Sequence, residues 1–261
     1  MRKGYVLIAA IAVGALAVSA FGWGSVVSSF YCPAGSTLPN GVGWERLFTS
    51  NDYLWVATNL PDRCYRVTYS GSIQRSHTLP GSATRDCDGA YIAPRGYYFL
   101  QDYGFRRMYQ IGYDSGSIYR SYVVPYTTPY GVAFRAVGST YYLYGTSTGN
   151  RRIYRMNATT GSVYASYSVP FEPRGIGYGD GYLWIADGTY RRIRKCSVTG
   201  STYDWFSVSA YGTIGGLDYD YVNNYVWAGF DASRDRVYRF ETRGGSAVTP
   251  SSMGKIKATF K

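Results

Sequence analysis

The chain is short of the side chains on which most catalysis depends. It holds one histidine, His77, and three glutamates, Glu45, Glu172 and Glu241, in 261 residues. One histidine excludes a multi-histidine metal site and leaves acid–base work largely to aspartates. A G-x-S-x-G string stands at Gly145-Thr146-Ser147-Thr148-Gly149. A hydrolase uses that string as a sharp turn between a strand and a helix, with a histidine beside the serine. Here no helical periodicity follows it. His77 takes the place that related segments give to Phe30, Tyr122 and Tyr167, so it reads as a substituted aromatic. Asp218, Asp220, Asn223 and Asn224 offer oxygens to calcium, but the string lacks the glycine and closing glutamate of an EF-hand loop. It reads first as a hairpin turn, with a calcium site as the alternative. Cys32, Cys64, Cys87 and Cys196 have no C-x-x-C spacing, which disfavours zinc. No catalytic residue, metal or cofactor is assigned. Paired aspartates brought together from distant segments would reopen an enzymatic reading.

Arginine is the distinctive resource. The net charge is +11, and arginine outnumbers lysine by 22 to 5. Arg63, Arg106, Arg107, Arg151, Arg152, Arg191, Arg192 and Arg236 recur at one point in successive segments. Guanidinium forks bind carboxylate, sulfate and phosphate in bidentate fashion. Tyr126 and Tyr130 lie in linkers expected on the same face, with Arg85, Arg174, Phe171 and Tyr211, where rings can stack on sugars. The candidate ligand-binding set is therefore these eight arginines with Tyr126 and Tyr130, and the ligand it suits is an acidic glycan. The competing reading is architectural: each second arginine stacks on a neighbouring tyrosine and bonds the next segment's backbone.

The elements that carry these residues repeat. The skeleton G-S-(Ile/Val)-Tyr-x-Ser-Tyr-x-Val-Pro is fullest at 116–125 and 161–170, with copies starting at 24, 71 and 200. Each copy leads through a linker to an apolar strand such as 53–57 or 182–186, a turn, and a basic–apolar strand such as 151–156 or 235–240. Spacings of 39 to 47 residues with four short strands each are those of a propeller blade. The expected fold is all-β: a β-propeller of five four-stranded blades. The copy at 24–33 is an outermost strand without its own inner strands. Pairing it with 235–240 closes the ring and removes two open sheet edges. GGSAVTP at 244–250 resembles one more outer strand, which leaves a six-bladed ring as the alternative.

These repeated elements resemble the secreted β-propeller repeat proteins of bacteria, in the neighbourhood of NHL and related families. The resemblance covers 24–240 and implies a fold shared by ligand binders, scaffolds, lactonases and lyases. Residues 1–20 have the charged start, apolar run and small-residue end of a signal peptide, with an uncleaved anchor as the alternative. The domains expected are a signal peptide at 1–20, a propeller at 21–243 and a basic tail at 244–261. Cleavage leaves no stable membrane span. Export permits disulfides among the cysteines, with three full pairings open. It also turns the basic charge away from nucleic acid. The expected function is that of a secreted, non-catalytic propeller that binds a ligand or acts as a scaffold, extracellular, periplasmic or on the cell surface. Its partner is a glycan or surface polymer, or else a protein. A polysaccharide or lactone lyase or hydrolase is one alternative and a protein–protein interaction module the other.

Overall fold

A computed structural model describes residues 23–33, 36–45, 53–80, 84–92, 95–231 and 235–243. The expected signal peptide at 1–20 and the expected tail at 244–261 lie outside the described residues. Among the described residues twenty strands form five antiparallel sheets of four. Blade 1 holds β2 (Thr37–Trp44), β3 (Tyr53–Leu60), β4 (Asp62–Thr68) and β5 (Ile73–Thr78). Blade 2 holds β6 (Thr84–Ile92), β7 (Arg95–Asp102), β8 (Arg107–Gly112) and β9 (Ile118–Val123). Blade 3 follows with β10 (Pro129–Val137), β11 (Thr140–Ser147), β12 (Arg152–Asn157) and β13 (Val163–Ser168). Blade 4 has β14 (Pro173–Gly179), β15 (Tyr182–Asp187), β16 (Arg192–Cys196) and β17 (Thr202–Ser207). Blade 5 has β18 (Thr213–Asp220), β19 (Tyr225–Asp231) and β20 (Arg236–Glu241), and its fourth strand is β1 (Val26–Tyr31) from the other end of the chain.

The expected closure is therefore present: β1 runs antiparallel to β20, with Phe30 opposite Val237 and Tyr31 opposite Arg236. The first strands of the blades, β2, β6, β10, β14 and β18, touch in a complete circle around the axis. The architecture is a five-bladed β-propeller, and the six-bladed alternative does not hold. Among the described residues helix is confined to short 3-10 turns, such as Ser209–Tyr211.

The repeated glycine of the G-S skeleton is explained by the seams between blades. Gly116 sits in the turn before the outer strand at φ +64°, and a Cβ there would come within 2.8 Å of the His77 ring. The same two constraints hold at Gly24, Gly71 and Gly161, against Phe206, Phe30 and Tyr122. The outer-strand aromatic of blades 1, 2, 4 and 5 thus lies on the bare turn of the next blade, and only glycine supplies both the backbone angle and the space. This also settles His77. Its ring stacks on Trp55, 5.5 Å between centroids, and its Nδ1 lies 3.2 Å from the Tyr98 hydroxyl. Burial, with Arg75 and Arg63 nearby, holds its pKa below the ordinary value. It is an outer-strand aromatic, as its place in the repeat implies, and it lies in the seam between blades 1 and 2.

Each seam is a core of its own. Side chains of each second and third strand pack against the first strand of the following blade, giving five apolar clusters. Trp55, Trp184 and Trp227 from the repeated Tyr-Leu-Trp and Tyr-Val-Trp strands are fully buried in them.

Candidate functional site

Around the axis the five inner strands come so close that side chains are largely excluded. Alignment through the strand registers places Gly41, Asp86, Gly131, Gly175 and Gly216 at one level. Four blades have glycine there and one has an aspartate. A Cβ on Gly131 or Gly175 would strike the backbone of the adjacent inner strand, and one on Gly216 would strike Asp86 Oδ1. The Asp86 carboxylate fills the axis. Its Oδ2 accepts from the amides of Val132 (3.3 Å) and Ile176 (3.2 Å), and its Oδ1 from those of Cys87 (2.9 Å) and Val42 (3.4 Å). One carboxylate therefore ties blades 1, 3 and 4 to blade 2. Burial drives its pKa well above the ordinary 3.8, against the pull of the Ile176 and Val132 amides, and nearby Asp88 adds to the rise.

One level on, Asp88 accepts from the Phe134 amide and Asp218 from the Trp44 amide (2.7 Å). Three aspartates from two blades thus meet the axis region, the convergence that would suit an enzyme. All three are sealed from solvent, and all accept from backbone amides of neighbouring blades. Asp220 turns to the hairpin after β18: Oδ1 accepts from the Val222 and Asn223 amides, and Oδ2 from the Asn223 side chain and the Tyr69 hydroxyl. The D-Y-D-Y-V-N-N string is a capped hairpin. Among the described residues no three His, Cys, Asp or Glu side chains group so as to hold a metal ion. Ser147 of the G-x-S-x-G string is buried at the end of β11, and its hydroxyl donates to the Thr127 carbonyl. No helix follows it.

The open site is a cavity of about 310 Å³ at one mouth of the axis. Asn40, Tyr130, Arg174 and Gly215 reach it from inner strands, and Tyr103 and Thr148 from turns between second and third strands. Linkers and these turns therefore share a face, as the repeat order implies. Arg174 Nε donates to Glu172 Oε1 (2.9 Å), and its guanidinium lies 5.7 Å from the centre of the Tyr130 ring. Asp231 stands on the far wall, its pKa raised by burial and by Asp235.

The candidate arginines divide into two groups. The second of each pair is held by its own blade. Arg63 donates to Ser76 (2.7 Å), Arg107 to Ser121 (2.6 Å), Arg152 to Ser166 (2.8 Å) and Ser168 (2.9 Å), and Arg236 to Ser29 (2.8 Å). Each of Ser29, Ser76, Ser121 and Ser166 is the inner serine of the repeated skeleton. In blade 4 that serine is Trp205, and Arg192 stacks over its ring at 3.5 Å instead. The architectural reading anticipated bonds to the next blade. The partner is the same blade's outer strand, because the arginine opens the third strand directly opposite it. The first arginines, Arg106, Arg151 and Arg191, are exposed at φ near +50° in the turns. Blades 1 and 5 have Asp62 and Asp235 at that position. The expected ring of guanidinium groups is thus an arc over blades 2 to 4, faced by an acidic arc on blades 5 and 1.

The aromatics divide too. Tyr130 lines the cavity. Tyr126 does not reach the face: it is 1% exposed, stacks on Tyr154 at 4.2 Å and donates to Gln101 Oε1 at 3.1 Å. Its linker turns inward to cover the end of the core between blades 2 and 3. Phe171 is buried likewise, beneath the Arg194 guanidinium. The side chain of Arg85 lies outside the described residues. Sequence reasoning missed Asp86 and the cavity residues Tyr103, Thr148 and Asp231. Asp86 leaves a trace in the sequence, since it interrupts the inner-strand glycine. The others sit in turns whose convergence only the ring creates.

No family model matches the chain, so none supports the NHL neighbourhood, and no curated protein matches it. Solved structures resemble it in fold. Glutaminyl cyclase from Myxococcus xanthus superposes with a TM-score of 0.64 at 9% identity, over 83% of this chain and 94% of that one. A catalytically inactive virginiamycin B lyase from Staphylococcus aureus with quinupristin gives 0.49 at 17% identity, over 84% and 75%. At such identities the likeness is one of fold, and it carries no residue role to this chain.

Proposed function

We propose that this protein is an exported, non-catalytic binding propeller whose ligand is an acidic glycan held on the face that carries the axial cavity. One observation carries the reading: exposed Arg106, Arg151 and Arg191 form an arc beside a cavity walled by Arg174 and Tyr130. At about 310 Å³ the cavity is at the small end of the ~300–1,000 Å³ typical of ligand sites. It suits one residue of a chain whose neighbours run out over the arginines. Tyr130 offers a ring face to a sugar, Arg174 a cation, and Thr128, Thr148 and Thr213 hydroxyls. The acidic arc on blades 5 and 1 would steer the anionic chain onto blades 2 to 4. The axial aspartates speak against acid–base chemistry in the channel, because their oxygens are committed to backbone amides away from water.

The test is a glycan array probed with residues 21–261 at low and at physiological salt, beside the triple variant Arg106→Ala/Arg151→Ala/Arg191→Ala. Three exposed charge contacts at ~0.2–1 kcal/mol each predict a loss of about tenfold in affinity for acidic glycans. Salt-sensitive binding that the triple variant loses supports the reading. A blank array, or binding indifferent to the three arginines, overturns it and turns attention to a protein partner.

A further inference from the structure

The five seams between blades repeat one contact. At each, the residue after the recurrent arginine of a blade's third strand shares an apolar cluster with the residue after the axial position on the next blade's first strand. The pairs are Met108 with Val132, Ile153 with Ile176, Ile193 with Leu217, and Val237 with Val42. At the seam between blades 1 and 2 both places are taken by cysteine, Cys64 on β4 and Cys87 on β6. Both are fully buried, on facing sheets. The Cys87 thiol donates to the Trp55 carbonyl at 3.3 Å. After burial, the adjacent Cys64 thiol is the next cause of its raised pKa. The other two cysteines are apart: Cys32 lies beside Ser36 at the end of the closing strand, and Cys196 lies beside Thr202 in the seam between blades 3 and 4.

We propose that Cys64 and Cys87 form a disulfide that staples blade 1 to blade 2, leaving Cys32 and Cys196 as thiols. The oxidant is an external disulfide. One cysteine attacks it to give a mixed disulfide, and the second displaces the remaining half. The two protein thiols lose two electrons and two protons, and the oxidant's S–S bond becomes two thiols. Since neither sulfur is exposed in the folded ring, the exchange belongs to folding, before the two blades dock.

Full-length chain, reduced and unfolded, is refolded in a glutathione buffer of oxidising poise, alkylated, digested with trypsin and mapped without reduction. Cleavage after Arg63, Arg66, Arg85 and Arg95 isolates 64–66 and 86–95. The expected product is one species joining those peptides, with Cys32 and Cys196 alkylated. The Cys32→Ser/Cys196→Ser variant should give the same bridge. Cys64→Val/Cys87→Val, which copies the apolar contact of the other seams, should fold but melt roughly 5–15 °C below the oxidised parent and ignore reductant. Refolded protein in which Cys64 and Cys87 are both alkylated overturns the proposal. So does bridging of either to Cys32 or Cys196 in preference.

Discussion

Replacing Asp86 with alanine should loosen the whole ring, because one carboxylate holds inner strands of four blades. The substitution removes acceptors from the amides of Val42, Val132 and Ile176. A buried amide left without a partner costs about 1–3 kcal/mol. The Val42 bond, at 3.4 Å, is the weakest. The sum is reduced because a buried polar group is also removed and a water can enter the space. A net loss of about 2–4 kcal/mol follows, or roughly 5–15 °C in melting temperature for a chain of this size. Burial raises the Asp86 pKa, so the folded state keeps this proton to higher pH than the unfolded one. Its contribution to stability is full below the ordinary 3.8 and declines as pH rises through the raised value. The gap between parent and Asp86→Ala should therefore be widest in acid and narrow toward neutrality. Urea unfolding at several pH values measures both quantities. A variant within ~0.5 kcal/mol of the parent throughout, or a gap that widens with pH, would refute the reasoning.

Arg152→Ala, which loses its bonds to Ser166 and Ser168, should cost about 1–2 kcal/mol. Arg151→Ala should leave the melting temperature within a few degrees and lower acidic-glycan affinity; calorimetry and titration separate the two, and equal stability losses would undo the division of the pairs. Gly116→Ala meets both a φ of +64° and the His77 ring, whereas Gly181→Ala has a φ of +84° and open space. Thermal melts should show the first costing about 2–3 kcal/mol and the second about 1 kcal/mol. Deleting 24–33 removes β1, the fourth strand of blade 5, and exposes the edge of β20. Circular dichroism and gel filtration should then show an unfolded or associating chain; a folded monomer would mean that closure by β1 is dispensable.

How much was legible in the sequence follows from what a repeat can and cannot encode. The G-S-(Ile/Val)-Tyr skeleton and the Tyr-Leu-Trp strands gave the blade, its strand order and a first strand able to close the ring; they left five blades against six, which the closed ring of five sheets decided. Alternation, turn residues and spacing are local properties, and a ring of identical neighbours leaves little else to choose. The same logic placed His77 among the outer-strand aromatics. The chain alone did not reveal which copies of a repeated residue are free. Arg151 and Arg152 are adjacent and chemically identical. Only the pairing of β12 with β13 puts Ser166 within reach of Arg152 and leaves Arg151 in solvent. Tyr126 and Tyr130 are alike in sequence, yet one covers a core and the other lines a cavity. Asp86 stands among glycines as a small irregularity until five strands converge on one axis, where four amides and the low-dielectric interior make it the common tie. Cys64 and Cys87 become a pair for the same reason. Contacts across a ring depend on which faces meet, and closure of the ring, rather than local pattern, decides that.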